Sequence, residues 1–291
     1  MMKNIFIYFM IGAFVFSLST CQKYDPQFEG AYNEENGPSA DAKVVTFVLN
    51  GNVCVADARF QDIVVLDDSG DVEVASINHE HTKILFKRAN ENIQIYDIAS
   101  MSIDGDVPNS QDAEWFDFHG NNETIYFQTE WVLSTYGPEI FSTTSVDIKD
   151  LYDDYVATDI LRGISVLRDG GIVFSVQHSA DLLSLHHYRN GAEVSSQVYT
   201  GSARIHLRLD KDETTLWATA QSQANFSRHN LSTLEIEGGS VGFSFVGPVS
   251  SNEGFLVVEN FNNTGNEAIL LPGLTLARTL SAGQKILSID Y

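Results

Sequence analysis

A chain of 291 residues can hold one large or two ordinary domains, and its 43% hydrophobic and 11% aromatic content, against 19% charged, is enough to close a sizeable core, which excludes a largely disordered polymer. The formal net charge of −22 sets up a field that repels phosphate backbones and anionic headgroups. Nucleic acid and a bare membrane surface are therefore not expected partners, whereas cations and neutral or basic ligands are tolerated.

The chain opens with Met1, Met2 and Lys3, followed by an apolar stretch over residues 5–18 and then Ser19, Thr20 and Cys21. That stretch is shorter than the roughly 20 residues that cross a bilayer and has the layout of a secretory signal. The junction resembles a bacterial lipobox, which implies cleavage after residue 20 and lipidation, including a palmitate, of Cys21 as the anchor. The next residues, Gln22, Lys23, Tyr24 and Asp25, resemble the short signal that sends Bacteroidetes-type lipoproteins through the outer membrane to the cell surface. The resemblance implies surface exposure rather than periplasmic retention. Residues 21–42 carry Pro26, Gly30, Gly37, Pro38 and several acids without an apolar period, and are read as a flexible tether.

From residue 43 to 291 the pattern is all-β. Asn50-Gly51, between two apolar runs, is a hairpin signal, and Cys54 in Val53-Cys54-Val55 reads as a small buried hydrophobe that does not pair with Cys21. A polar turn followed by a β-rich run then returns five times, at anchors Ile84, Ile125, Ile172, Leu216 and Phe255. The spacing of about 40 to 50 residues is that of propeller blades. Segments ahead of each turn, such as residues 72–77 and 203–209, fit innermost strands. The turn-then-strand cadence, with Asp169-Gly170 and His81-Thr82-Lys83 as fragments of its signature, resembles the WD40-like repeat of the TolB type. Counting residues 44–66 as a further unit, closed by the terminal run at 285–290, predicts a six-bladed propeller of four-stranded antiparallel blades, with seven blades as the alternative.

The sequence holds no Gly-x-Ser-x-Gly elbow, phosphate-binding glycine loop, Cys-x-x-Cys pair or His-Glu-x-x-His helix, so no catalytic residue, metal or cofactor is assigned. His79 and His81 fall in a tight turn, and His186 and His187, adjacent on a strand, point to opposite faces and cannot share an ion. Asp104, Asp106 and Asp112 are placed in an inter-blade loop. Arg204, His206 and Arg208 alternate on one face of an inner strand, either lining the channel to receive an anion or partnering acids of the neighbouring blade. Two stretches, 128–137 and 150–155, are read as long loops mixing aromatics with acids. They supply Trp131, Tyr136, Tyr152, Asp153, Asp154 and Tyr155 as candidate ligand contacts, suited to sugar faces or basic side chains. The alternative is that Trp131 and Tyr155 fold back over the rim.

The expected function is a cell-surface lipoprotein whose non-catalytic propeller binds a glycan, peptide or envelope protein. The alternatives are a propeller-type glycoside hydrolase or polysaccharide lyase, using carboxylates such as Glu130 and Asp153, or a periplasmic TolB-like scaffold.

Overall fold

A computed structural model describes residues 44–57, 63–78, 80–118, 124–137, 144–152, 154–200, 204–209, 213–220, 225–241, 244–245, 256–259, 268–271, 275–279 and 286–290. The signal sequence, Cys21 and the tether lie outside them, as do His79 and Asp153.

Five blades are each built from four antiparallel strands consecutive in the chain. The first comprises β4 (Ala75–Ile77), β5 (Lys83–Phe86), β6 (Gln94–Asp97) and β7 (Ser102–Asp106), and the second β8 (Trp115–Phe118), β9 (Ile125–Thr129), β10 (Val132–Tyr136) and β11 (Thr144–Asp147). The third is β12 (Ile160–Val166), β13 (Ile172–Ser179), β14 (Leu182–Arg189) and β15 (Ala192–Thr200). The fourth is β16 (Arg204–Leu209), β17 (Thr215–Ala220), β18 (Asn225–Asn230) and β19 (Ile236–Val241). The fifth is β20 (Ser244–Phe245), β21 (Leu256–Glu259), β22 (Ala268–Leu271) and β23 (Thr275–Thr279).

The predicted count of six blades, or seven, is corrected by this strand inventory. The five anchors mark five sequence-contiguous blades, and among the described residues no strands remain for a sequence-contiguous sixth or seventh. Residues 44–67 supply only β1 (Val44–Leu49), β2 (Asn52–Asp57) and β3 (Val64–Asp67), one strand short of a blade. They reach four only as a composite sheet in the order β24-β1-β2-β3, with β24 (Ile286–Asp290) drawn from the far end of the chain. The register sets Thr46 opposite Asp290 and Phe47 opposite Ile289.

Inner strands such as β4, β5 and β13 are buried on both faces, because successive side chains point in opposite directions and each set meets a neighbouring sheet. On β5, Ile84 and Phe86 enter one apolar cluster with Val53, Val55 and Ile77, while Leu85 between them enters the next with Phe116, Ile125 and Phe127. β13 repeats this device. Ile172, Phe174 and Val176 face the second blade, and Val173 faces the fourth with Leu207 and Leu216. The first and third blades are thus wedges between two neighbours, each joint holding its own apolar cluster.

The alternation of strand directions gives the ring two faces. The connections entering each innermost strand and those joining its second and third strands gather on one face, which we call the entry face. The tight turns after the innermost strands and between the third and fourth lie on the other. Those turns use left-handed backbone, at His81 (φ 56°), Gly170 (φ 83°) and Glu213 (φ 51°). The first is held by Asn78, whose side-chain oxygen accepts the backbone N–H groups of Thr82 and Lys83 at 2.8 and 2.9 Å.

Asn50 and Gly51 (φ 52° and 82°) form the two-residue turn joining β1 to β2. A Cβ on Gly51 would lie 2.2 Å from the carbonyl oxygen of Gly70, so backbone would have to move. Gly51→Ala is therefore expected to destabilise the protein by about 1–3 kcal/mol, measured by urea unfolding. A neutral or stabilising effect would show that the turn is not held against Gly70.

Candidate binding surface

The innermost strands converge on an axial cavity of about 200 Å³, lined by Val74 and Glu114 to Phe116 at the entries to β4 and β8, by Arg162 on β12, Arg208 on β16 and Ser288 on β24. Three blades are tied together here by one carboxylate. Asp117 accepts the Ser76 hydroxyl at 2.5 Å and the Arg208 guanidinium at 2.9 Å. Arg208 thus pairs with an acid, but across the channel rather than on the neighbouring blade. Nothing in the sequence linked positions 76, 117 and 208. Arg204 and His206 lie on the same strand, and their side chains lie outside the described residues.

The axial cavity continues outward over the entry face. A groove of about 510 Å³ shares Val74, Glu114 and Phe116 with it and adds Asp71, Glu73, Lys87, Arg88 and Asp112. Four carboxylates therefore face two cations. One of these, Arg88, is engaged by Asp67 and, at 3.5 Å, by Glu91. Burial alone would raise the Asp67 carboxyl, but hydrogen bonds from Arg88 and Ser69 outweigh it and hold the group below the usual carboxylate range. A depressed carboxyl contributes stability above its unfolded-state range and loses it as the solution is acidified through the folded value. Arg88→Met should cost about 1–2 kcal/mol at pH 7 and less at about pH 2, read from unfolding free energies. An equal cost at both would mean that the arginine acts by packing.

The predicted aromatic sites are placed differently from expectation. Residues 128–137 are not a loop but a hairpin, β9 to β10, with Glu130 (φ 50°) and Trp131 at its turn. Tyr136 ends β10 and is half-buried against the joint between the first two blades. Trp131 is 7% exposed and Tyr152 3%. A 3-10 turn at Ile148–Asp150, capped by the Asp147 carboxylate on the Lys149 N–H (3.0 Å), directs the chain inward. Tyr152 thereby stacks on Trp131 with centroids 6.3 Å apart, and Tyr155 packs edge-on against Trp131 at 5.1 Å. Both residues named in the fold-back alternative, Trp131 and Tyr155, thus belong to the apolar joint between the second and third blades. Asp154 remains exposed and, with Asp150 and Glu193, borders a second acidic groove of about 490 Å³ on the flank of that joint.

Asp104 and Asp106 belong to the outer strand β7 rather than to a loop, where Asp104 pairs with Lys83 at 3.3 Å and Asp106 accepts Asn92 at 2.6 Å. Among the described residues no three His, Cys, Asp or Glu side chains form a metal-ligating group. Burial pushes the Cys54 thiol up to about 12, outweighing a backbone hydrogen bond at Leu49 that lowers it, so it stays an inert apolar filler at neutral pH.

The sequence matches no protein-family model, and a search of curated proteins found no similar sequence. Solved structures do resemble it. A β-propeller domain of Myceliophteria_thermophila Cps50 (Swd1) superimposes with a TM-score of 0.56 at 14% identity, covering 81% of each chain. A chain of a nidogen/laminin complex gives 0.62 at 10% identity over 85% of this chain and 97% of its own. A chain of a mitotic checkpoint complex gives 0.54 at 12% identity over 85% and 77%.

The chain is a β-propeller of WD40-like fold. In this propeller the Asp117 tie spans the axis beneath the entry-face groove. Asp117→Asn removes the carboxylate that pairs with the partly buried Arg208. It is expected to cost about 1.5–3 kcal/mol in chemical unfolding, more than Asp104→Asn on the exposed β7 pair, which should cost under about 1 kcal/mol. Equal costs would remove Asp117 from the centre of the fold.

Proposed function

We propose that this propeller is a non-catalytic docking module, held at the bacterial cell surface by a lipid on Cys21, that engages a basic segment of a partner protein on its entry face. The observation that carries the reading is the continuous acid-lined depression from the axial cavity to Asp71, Glu73, Asp112 and Glu114, in a chain of net charge −22. Such a surface raises the local concentration of cationic segments and speeds their encounter, with a salt dependence set by screening. The solved propellers that resemble this chain include members of protein complexes, which supports a protein partner over a small molecule. The buried state of Trp131 and Tyr152 removes the open aromatic platform that a sugar ring would require, so the glycan reading and its hydrolase or lyase variant lose their main support.

An octalysine peptide serves as the probe for the groove. Binding to the full chain is expected to weaken at least tenfold in the combined variant Glu73→Lys, Asp112→Lys, Glu114→Lys, and several-fold on raising salt from about 0.05 to 0.3 M. Equal binding by the variant would place the basic ligand elsewhere. For the anchor, Cys21→Ser is expected to abolish incorporation of labelled palmitate and release the protein from membranes, and retained labelling would refute the lipoprotein reading.

A further inference from the structure

A polar chain runs along the joint between the second and third blades, from the fully buried Asp159 to the exposed Glu193. Asp159, just ahead of β12, has a fully buried carboxylate that accepts the Val156 N–H at 3.0 Å and lies 2.9 Å from Nδ1 of His178, at the end of β13. The other ring nitrogen, Nε2 of His178, is 2.8 Å from Oγ of Ser184 on β14. The same Oγ is 2.7 Å from Nε2 of His186, whose Nδ1 is 3.3 Å from the Glu193 carboxylate on β15. That carboxylate also accepts the Tyr188 hydroxyl at 3.0 Å and the Ser196 hydroxyl at 2.7 Å. Tyr152 closes the cluster, its ring 4.7 Å from that of His186 and its hydroxyl hydrogen-bonded to Ser184.

The hydrogens in this chain can be counted. A carboxylate only accepts, so each Nδ1 must carry its own hydrogen. A neutral imidazole with hydrogen on Nδ1 presents a bare lone pair at Nε2. Two such lone pairs converge on Ser184, whose hydroxyl has one hydrogen, so two neutral rings would leave one of the contacts at 2.7 and 2.8 Å as lone pair against lone pair. Adding a single proton removes the conflict. Nε2 of one ring donates to Ser184, the serine donates to the other ring, and the remaining serine lone pair accepts Tyr152.

We propose that the Asp159–His178–Ser184–His186–Glu193 relay holds one proton more than two carboxylates and two neutral imidazoles, and that this proton locks the joint between the second and third blades. Burial pushes His186 below its ordinary value despite the opposing Glu193. Among the described residues, the other ionisable groups bordering the cluster are Asp150 and Asp154, from the segment between β11 and β12, with Tyr152 and Tyr188. Asp154 favours retention of the proton. When the proton leaves, one of the two serine–imidazole contacts becomes repulsive, next to the Tyr152 ring stacked on Trp131.

The sign of the pH dependence follows. The folded relay binds a proton that the unfolded histidines have released, so its contribution is present on the acid side of the ordinary histidine range and is lost as pH rises through the relay's own titration. Imidazole nitrogen spectra of the full chain at pH 7 are expected to show one of these two rings protonated on both nitrogens and the other on Nδ1 alone. Two rings each protonated only on Nδ1 would overturn the proposal, as would rings with hydrogen on Nε2 alone. A second measurement uses His186→Gln, whose amide N–H can supply the missing hydrogen to Ser184. Between about pH 6 and 9, part of the wild-type range should show the folding equilibrium weakening by close to tenfold per pH unit relative to the variant, the slope for one proton. Parallel pH profiles for the two proteins would equally overturn it.

Discussion

The pairing of β24 with β1 is the constraint on which the propeller rests. Without Ile286–Asp290, the first three strands would present an open edge at the innermost position, and the ring would have a seam. β24 also reaches sideways, since Ser288 accepts the Ala75 N–H at 2.9 Å, so the last strand binds the composite sheet to the first blade. Closure therefore fixes the spacing of the innermost strands. It also lets Asp117 reach Ser76 on one side and Arg208 on the other. A tie of that kind requires β4, β8 and β16 to be held at constant separation, and the entries to β4 and β8 also shape the groove.

Much of the architecture was legible because it is local. Asn50-Gly51 and Asp169-Gly170 announce turns through residues that tolerate positive φ, and the alternation around Ile84 and Ile172 announces strands buried on both sides. The blade count was not legible, because residues 44–67 look like the start of a repeat and only long-range pairing shows that their fourth strand comes from the other terminus. The prediction that His186 and His187 diverge holds. His186 enters the relay on one side, and His187 points to the opposite joint, where its Nδ1 donates to the Leu231 carbonyl at 3.0 Å.

The site was less legible, for a physical reason. Aromatics beside acids look alike in sequence whether they line a groove or plug a joint, and the outcome at Trp131 and Tyr152 is decided by the 3-10 turn after Asp147. The relay members are separated by stretches that have no chemistry in common. Asp159 precedes one strand, His178 ends the next, and Ser184, His186 and Glu193 follow across two hairpins. Only the antiparallel register stacks them, with His186 opposite Ser196 and Ser184 opposite Val198.

The register of the closing pair also orients the whole molecule. Because Thr46 lies opposite Asp290, the first and last described strands emerge side by side at one corner of the ring, on the side away from the grooved surface. A leash joined ahead of Val44 would therefore hold the disc from behind and turn its acidic hollow outward, much as a stem carries a dish. Anything appended at the C-terminus would crowd that stem and leave the hollow clear.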